Sequence, residues 1–399
     1  MKACMVAYTH YDWDNRVRRY AETLVKEGWE VEAITLKATG QPTFEMIRGV
    51  KVIRIQERKT NEKGKLRYFV RMLRFLILSA SVLAARGIKK RYHLIHVHSI
   101  PDFEVFAAII PKVLGTKVIL DIHDIVPELF LSKFGATQDS ILFRMLILAE
   151  RFSTAFSDHV IIANNIWREK LINRSIRSDK CTAIMNYPVS DIFTETGQTR
   201  EDGKFVAVYP GSLSKHQGIE TAIRAVNLLR DHIPNLEFHI YGEGTDENYF
   251  RNLISDLKLE DRVVMKGSVA LEQIPLIMAD ADLGIEPKLK NAFSNEAFST
   301  KIFEFMMVGV PLVVSDTLVH RYYIPDTLVK YYESGNEYEL AEAIKLLYDN
   351  PDIRIRYVRQ SGEFIIRNCW DTKKHLYLDI IRQLLSSPAT TRQMKKSSS

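Results

Sequence analysis

The sequence predicts an α/β protein built as two consecutive doubly wound domains, and three observations carry that expectation. Short β-branched apolar runs alternate with amphipathic helical stretches through the first half of the chain, and such alternation implies a parallel sheet covered by helices. The alternation stops at a polar stretch, Thr194–Lys204, and then restarts, as at a domain boundary. The length of 399 residues exceeds what one hydrophobic core supports at roughly 150 residues per domain.

The first strand is expected at Lys2–Tyr8, after which Val17, Tyr20, Ala21, Leu24 and Val25 recur at helical spacing as far as Gly28. Glu30–Thr35, Val50–Ile55, Leu94–Val97, Lys117–Ile122, His159–Ile162 and Thr182–Met185 are the further strands of the first domain. In the second they fall at Phe205–Tyr209, Leu236–Tyr241, Arg262–Met265, Asp282–Ile285 and Pro311–Ser315, and three helical stretches close the chain, the last at Thr372–Leu385. The expected domains are 1–195, rejoined by the final helix 372–385, and 196–371, while 386–399 has almost nothing to bury and reads as a disordered basic tail. Ligands of such folds lie at the carboxyl ends of the strands, so facing domains are expected to enclose one cleft.

Composition excludes several classes. An apolar fraction of 46% and a charged fraction of 26% are those of an ordinary globular protein. Cys4, Cys181 and Cys369 show no pairing or metal-ligand spacing and read as small core residues in a reducing compartment. The opening "MKACMVAYTHYDWD" lacks the pattern of a secretory signal, so a cytoplasmic site is expected, peripheral on the inner face of the plasma membrane. The apolar run Phe75–Ala85 is shorter than a membrane span. The net charge of +6 is concentrated between Arg58 and Arg91. There Lys63, Arg67, Arg71 and Arg74 fall on one helical stripe and Phe69, Met72, Leu73 and Leu76 on the opposite one. Segment 63–76 is either a contact for an anionic membrane surface or a packed helix with a solvated basic face. Nucleic-acid binding is disfavoured, because the basic stretch contains no recognition module.

The dinucleotide fingerprint G-x-G-x-x-G is absent from both halves, which disfavours nicotinamide and flavin enzymes. Gly211 and Gly218 flank a polar loop where a strand meets a helix, a place where backbone N–H groups can approach a phosphate. Gly242 and Gly244 follow the next strand; they either let a nucleobase or ribose lie against the backbone or only make the turn. In "SNEAFSTKIFEFMMVGVPLV" two acids, Glu296 and Glu304, stand eight positions apart around Lys301. Gly309 and Pro311 end a helix that runs back to about Thr300, capped by Ser299 or Thr300. Glu296 is then in the preceding loop, and Glu304 shares a helical face with Lys301. A helix N-terminus with a lysine suits a diphosphate, and a carboxylate one turn on can accept from two ribose hydroxyls. An i,i+3 surface salt bridge between Lys301 and Glu304 is the other reading.

The same segment resembles the E-x7-E region of retaining glycosyltransferases of family four, which have the two-domain GT-B fold. Further matches run in order along the chain: "DNRVRRYAETLVKEGWEVEAITL", "VILDIHDIVPE", "IMNYPVSDIF", "YPGSLSKHQGIETAIRAV", "HIYGEGTDE", "RVVMKGSV" and "ADLGIEP". The resemblance implies a sugar transferred from a nucleotide-diphosphate sugar to a glycan or a polyprenyl-diphosphate-linked acceptor, as in surface-polysaccharide synthesis, with no cofactor and no metal. It makes Glu304 the ribose acceptor, and Ser299 and Thr300 backbone donors to the diphosphate. Glu296 would face the transferred sugar, and His123 of the first domain would touch it across the cleft. Val264–Lys266, hence Met265 and Lys266, would contact the base through their backbone.

One departure stands out. The family's phosphate loop carries an arginine and a lysine where this chain has Ser212 and Gln217. Lys215 and Lys301 are the expected replacements. The competing readings are a nucleotide-sugar epimerase of the same fold and a non-catalytic nucleotide-sugar binder, the latter suggested by those two missing charges.

Overall fold

The computed structural model describes residues 1–58, 65–134, 137, 139–193, 200 and 202–386. Lys63, the tail beyond Ser386 and most of Thr194–Lys204 lie outside the described residues. The chain divides into two compact units, Met1–Asn186 with Lys374 onward, and Tyr187–Lys373.

The first unit is built from strands β1 (Lys2–Ala7), β2 (Glu30–Lys37), β3 (Phe44–Ile47), β4 (Val50–Glu57), β5 (Leu94–His98), β6 (Lys117–Ile122), β7 (His159–Ile162) and β8 (Cys181–Ala183). They form one sheet in the order β3-β4-β2-β1-β5-β6-β7-β8, parallel except for β3, which pairs antiparallel to β4. Sequence patterning misses β3 because its hairpin turns through Arg48 and Gly49, at φ 46° and 82°, without the Asn-Gly or Asp-Gly signal that such turns favour. The helices are α1 (Asn15–Lys26), α2 (Lys65–Lys89), α3 (Ile109–Val113), α4 (Val126–Phe134), α5 (Ile141–Phe156) and α6 (Asn165–Arg174). Asp14 caps α1 by accepting from the amides of Arg16 and Val17 at 3.0 and 3.1 Å, which fixes how Arg16 enters the unit.

Helix α2 departs from the two stripes expected of it. Its buried line is Met72, Phe75, Ser79 and Leu83, spaced three and four apart as one helical face requires. Phe69, Val70, Leu73 and Ile77 are exposed, as are Arg67 and Arg74. Arginines and apolar side chains therefore share the outer face instead of opposing one another.

The second unit repeats the architecture with β9 (Phe205–Pro210), β10 (Leu236–Tyr241), β11 (Val263–Gly267), β12 (Leu283–Glu286), β13 (Leu312–Ser315) and β14 (Lys330–Tyr332). These form a parallel sheet in the order β11-β10-β9-β12-β13-β14. The three-residue strand β14 is too short to leave a pattern in the sequence. The helices are α7 (Ile219–Leu228), α8 (Glu247–Asp256), α9 (Ile274–Ala279), α10 (Thr300–Met307), α11 (Leu318–Tyr323), α12 (Glu337–Asp349), α13 (Pro351–Ile366) and α14 (Trp370–Ser386). The core of this unit gathers Ala207, Tyr209, Ile223, Phe238, Ile285 and Ile344. Helix α10 ends as its glycine requires, with Gly309 at φ +76°. Most of α14 belongs to the first unit, where the Tyr377 hydroxyl meets His96 Nδ1 at 3.0 Å. The cysteines are buried and unpaired.

Candidate functional site

In the second unit the start of α10, the end of β12 and the loop after β9 converge on Lys301. Its ammonium lies 3.1 Å from Glu286 Oε2, and the Glu286 side chain is 0% exposed. The same ammonium stands 4.9 Å over the Tyr209 ring, and a Cβ added at Gly211 would sit 3.3 Å from it. Lys301 therefore turns inward beneath the Gly211 loop, not outward into a surface pair with Glu304. Burial raises the Glu286 carboxyl, but Lys301, Lys288 and His320 outweigh it and hold it below its ordinary value. Burial favours loss of the Lys301 proton, and Glu286 with Tyr209 reverses that, so Lys301 stays charged. An ammonium has three N–H donors; Glu286 and the Tyr209 hydroxyl take two, leaving one for an anion.

Glu304 sits one turn further on. Its carboxyl is pushed up to about 7 by burial, with Lys301 and the Thr300 hydroxyl pulling it down and Glu286 adding to the rise. Ser299 occupies the N-cap position of α10 without making a side-chain cap, and its buried Oγ has no partner among the described residues. Free amides, an unsatisfied hydroxyl and an ammonium thus gather at one helix start, the donor set an anion needs. Glu296 lies in the preceding loop, where its amide donates to Phe293 O at 3.1 Å. Lys288 anchors that loop by donating to Ala297 O at 2.8 Å.

The Gly211 loop is held by its neighbours. Gly211 N donates to Tyr241 O at 2.8 Å, and Leu213 N to Glu243 O at 3.0 Å. A Cβ at Gly242 would fall 1.9 Å from Gly211 O, and one at Gly244 2.3 Å from Leu213 O. The side of these glycines on which a Cβ would sit is filled by the protein's own loop, so they seat Gly211–Leu213. Gly218, at φ +74°, has no room for a Cβ because Pro287 O would be 1.8 Å away. Where two cations were expected by resemblance, Gln217 Nε2 bonds Ser212 Oγ at 3.4 Å. The Lys215 ammonium rests 4.0 Å over the Tyr249 ring, while its amide donates to Asp246 at 3.0 Å. Met265 packs against the core of the unit, and Lys266 is exposed at the end of β11.

In the first unit His123 belongs to a polar cluster at the carboxyl ends of β5 and β6. Its Nε2 lies 3.2 Å from Asp121 Oδ2 and 3.2 Å from His98 Nδ1. Arg16 grips Asp121 with Nε at 2.7 Å and Nη2 at 2.6 Å, and its Nη1 donates to Asn186 at 2.9 Å. Burial raises the Asp121 carboxyl, yet Arg16 and His123 hold it well below the usual carboxylate range. Burial also lowers His98 and, further, His96. Asp121 with Arg16 therefore forms a fixed, charged socket behind His123, whose side chain is 21% exposed. His96, His98 and Asp121 place ligand atoms within 4.8 Å of one another, as a metal site does, but the Arg16 guanidinium already holds both Asp121 oxygens.

Sequence reasoning missed Glu286, Asp121, Arg16 and His98. Three of these stood inside quoted matches, Glu286 in "ADLGIEP", Asp121 in "VILDIHD" and Arg16 in "DNRVRRY", but only contact shows that Glu286 and Asp121 are partners of predicted residues and that Arg16 holds Asp121.

Two parallel-sheet units, each with a polar cluster at strand ends, define the GT-B fold, and solved structures share it across nearly the whole chain. Sucrose-phosphate synthase from Thermosynechococcus elongatus superposes with a TM-score of 0.77 at 17% identity, over 97% of this chain and 100% of that one. HepE of Anabaena, in complex with UDP and glucose, does so with a TM-score of 0.72 at 16% identity, over 96% and 99%. The model of glycosyl transferases group 1 matches residues 192–363, and that of the glycosyl transferase 4-like domain matches 14–186. The chain belongs to this glycosyltransferase family. Among characterised relatives, the alpha-D-kanosaminyltransferase of Streptomyces kanamyceticus is 24% identical over 67% of this chain and 71% of its own. Several other relatives are longer, and the matched part spans 25% to 47% of their length.

Proposed function

We propose that this chain is a retaining glycosyltransferase that moves a sugar from a nucleotide-diphosphate sugar to a glycan or polyprenyl-diphosphate-linked acceptor of cell-surface polysaccharide synthesis. The observation that carries it is the convergence, on the Lys301 ammonium 3.1 Å from Glu286, of the α10 start and the Gly211 loop. In this reading the α10 amides, Ser299 and Lys301 neutralise the departing diphosphate, work that elsewhere falls to a metal ion. Glu304 accepts from the ribose, Glu296 faces the transferred sugar, and Val264–Lys266 line the base. His123, set by Asp121, is the residue of the first unit that the resemblance assigns to the transferred sugar. Retention follows if the leaving diphosphate takes the acceptor proton on the face it departs from. The enzyme would work at the cytoplasmic side of a membrane, with segment 63–76 toward anionic lipid.

The test is a thermal-shift screen with uridine, guanosine and adenosine diphosphates and their sugars, since a ligand bound only by the folded state raises its melting temperature. One diphosphate should stabilise the native protein and fail with Lys301→Ala. A protein that no member of the panel stabilises would overturn the reading. If Lys301→Ala bound and turned over normally while Lys215→Ala did neither, the charge would come from Lys215 instead. The Gln217–Ser212 bond, 3.4 Å long where cations were expected, favours a second reading, a non-catalytic binder. Binding without turnover across an acceptor panel would establish it.

A further inference from the structure

Three helices of the first unit share a feature that the donor chemistry does not use. The connections β4 to β5, β5 to β6 and β6 to β7 all step the same way across the sheet, so right-handed crossovers put α2, α3 and α5 on one face. The segment Asp102–Ala108 lies between them, with Phe103 6.3 Å from the Phe69 ring of α2 and Phe106 5.2 Å from the Phe156 ring of α5. Their outer side chains are apolar and unusually open: Ile77 is 65% exposed, Val113 83%, Ile141 78%, Met145 60% and Phe152 59%. Exposed apolar side chains gathered on one face in this number mark an interaction site.

Charge identifies the occupant. From Lys65 to Pro101 there is no Asp or Glu and there are eight Lys or Arg. Arg67, Arg74 and Arg144 are exposed among the apolar side chains. The one carboxylate of α5, Glu150, is 1% exposed and is held by Arg174 at 2.6 Å. An apolar face edged by cations and free of exposed acids on these helices complements the headgroups and outer acyl layer of an anionic bilayer. A second copy of the same face would bring like charges together.

We propose that α2, α3 and α5 together form the surface on which the first unit docks to an anionic bilayer, lying on it without crossing it. By length and composition Arg67–Lys89 could cross a membrane. It does not, because α2 joins two strands of one sheet and buries Met72, Phe75, Ser79 and Leu83 against the unit. The proposal deepens the membrane reading of 63–76 and rests on it, while adding α3 and α5 as equal contributors.

Flotation of the full chain with phosphatidylcholine vesicles, with and without phosphatidylglycerol, tests it. The native protein should float only with phosphatidylglycerol. Ile141→Glu with Met145→Glu, and separately Val113→Glu, should each lower vesicle binding at least about tenfold, since each places charge in an apolar layer. Arg67→Gln with Arg74→Gln should lower it about 30-fold, from a factor of about five per cation. All these positions are exposed, so melting temperature and the diphosphate shift should be unchanged, which separates this test from that of the donor site. If the α5 and Val113 variants float like the native protein while the arginine variant does not, α2 alone makes the contact and the proposal fails. It also fails if the native protein does not float, if it resists extraction by alkaline carbonate as a spanning protein does, or if the Ile141→Glu, Met145→Glu variant instead converts a dimer to a monomer.

Discussion

Replacing Lys301 by methionine, one atom shorter, keeps most of the apolar stem and removes the charge. The two unit charges stand 3.1 Å apart, an attraction of about 5 kcal/mol at an effective dielectric constant of about 20. Breaking a buried pair by deleting one partner costs about 3–5 kcal/mol, because the other charge is left in a low-dielectric site. Lys288 still acts on Glu286, and Glu286 can take up a proton, so about 3 kcal/mol is the expected loss. For a unit of this size that is a fall of about 6–12 °C in melting temperature. The loss depends on pH with a definite sign. Without Lys301, burial lifts the Glu286 carboxyl above its ordinary value of 4.5, so the folded state holds a proton that the unfolded chain has released. The deficit is therefore smallest near about pH 5 and grows toward about pH 8. The double variant Glu286→Gln, Lys301→Met should recover about 2 kcal/mol of the loss, yet show no shift with nucleoside diphosphate, since the cation is still gone. Thermal unfolding of the four proteins of this cycle at the two pH values is the assay. A loss below about 1 kcal/mol at the higher pH, with no coupling between the two positions, would refute the assignment of Glu286 as the partner that holds Lys301 in place.

Three further outcomes are expected. Gly218→Ala must place a Cβ 1.8 Å from Pro287 O, whereas Gly203→Ala, at a similar positive φ, meets nothing within 4 Å among the described residues; urea unfolding should show the second costing about 1 kcal/mol and the first several times more, and equal costs would contradict the packing described. Arg16→Leu should destabilise the first unit by about 3–5 kcal/mol, because it strands the buried Asp121, and Arg16→Lys should recover only part of this, since one ammonium cannot make the paired contacts at 2.6 and 2.7 Å. The Glu304 carboxyl is raised from 4.5 to about 7, so its proton stabilises the unliganded fold below about pH 4.5 and that stabilisation is lost by about pH 7. Glu304→Gln should flatten the melting profile across this window, and nucleoside-diphosphate binding should strengthen from about pH 6 to about pH 8 more in the native protein than in the variant, because the ribose hydroxyls need the carboxylate as acceptor while the ligand's terminal phosphate, with a second pKa of about 6, ionises for both.

What could be read from the chain alone follows from interactions between near neighbours. The twelve strands expected from alternation are all present, and α10 begins at Thr300 and stops short of Gly309, because β-branched runs, helical periodicity and a glycine C-terminus act over a few residues. The loop position of Glu296 and the helical position of Glu304 follow from the same local rules. Tertiary structure decided what faces each of these residues. Arg16 meets Asp121 across 105 positions of sequence, and Lys301 meets Glu286 only because β12 and α10 are packed side by side, so neither pair leaves a spacing that a linear reading can detect. That Gly242 has no room for a side chain likewise shows only in the fold, where the carbonyl of Gly211 lies where its Cβ would be. The outer face of α2 went further and departed from a sequence expectation. A helical wheel orders side chains around an axis, but only the packed sheet selects which arc is covered, and here it covered Met72 and Phe75 while leaving Arg74 and Ile77 together on the outside.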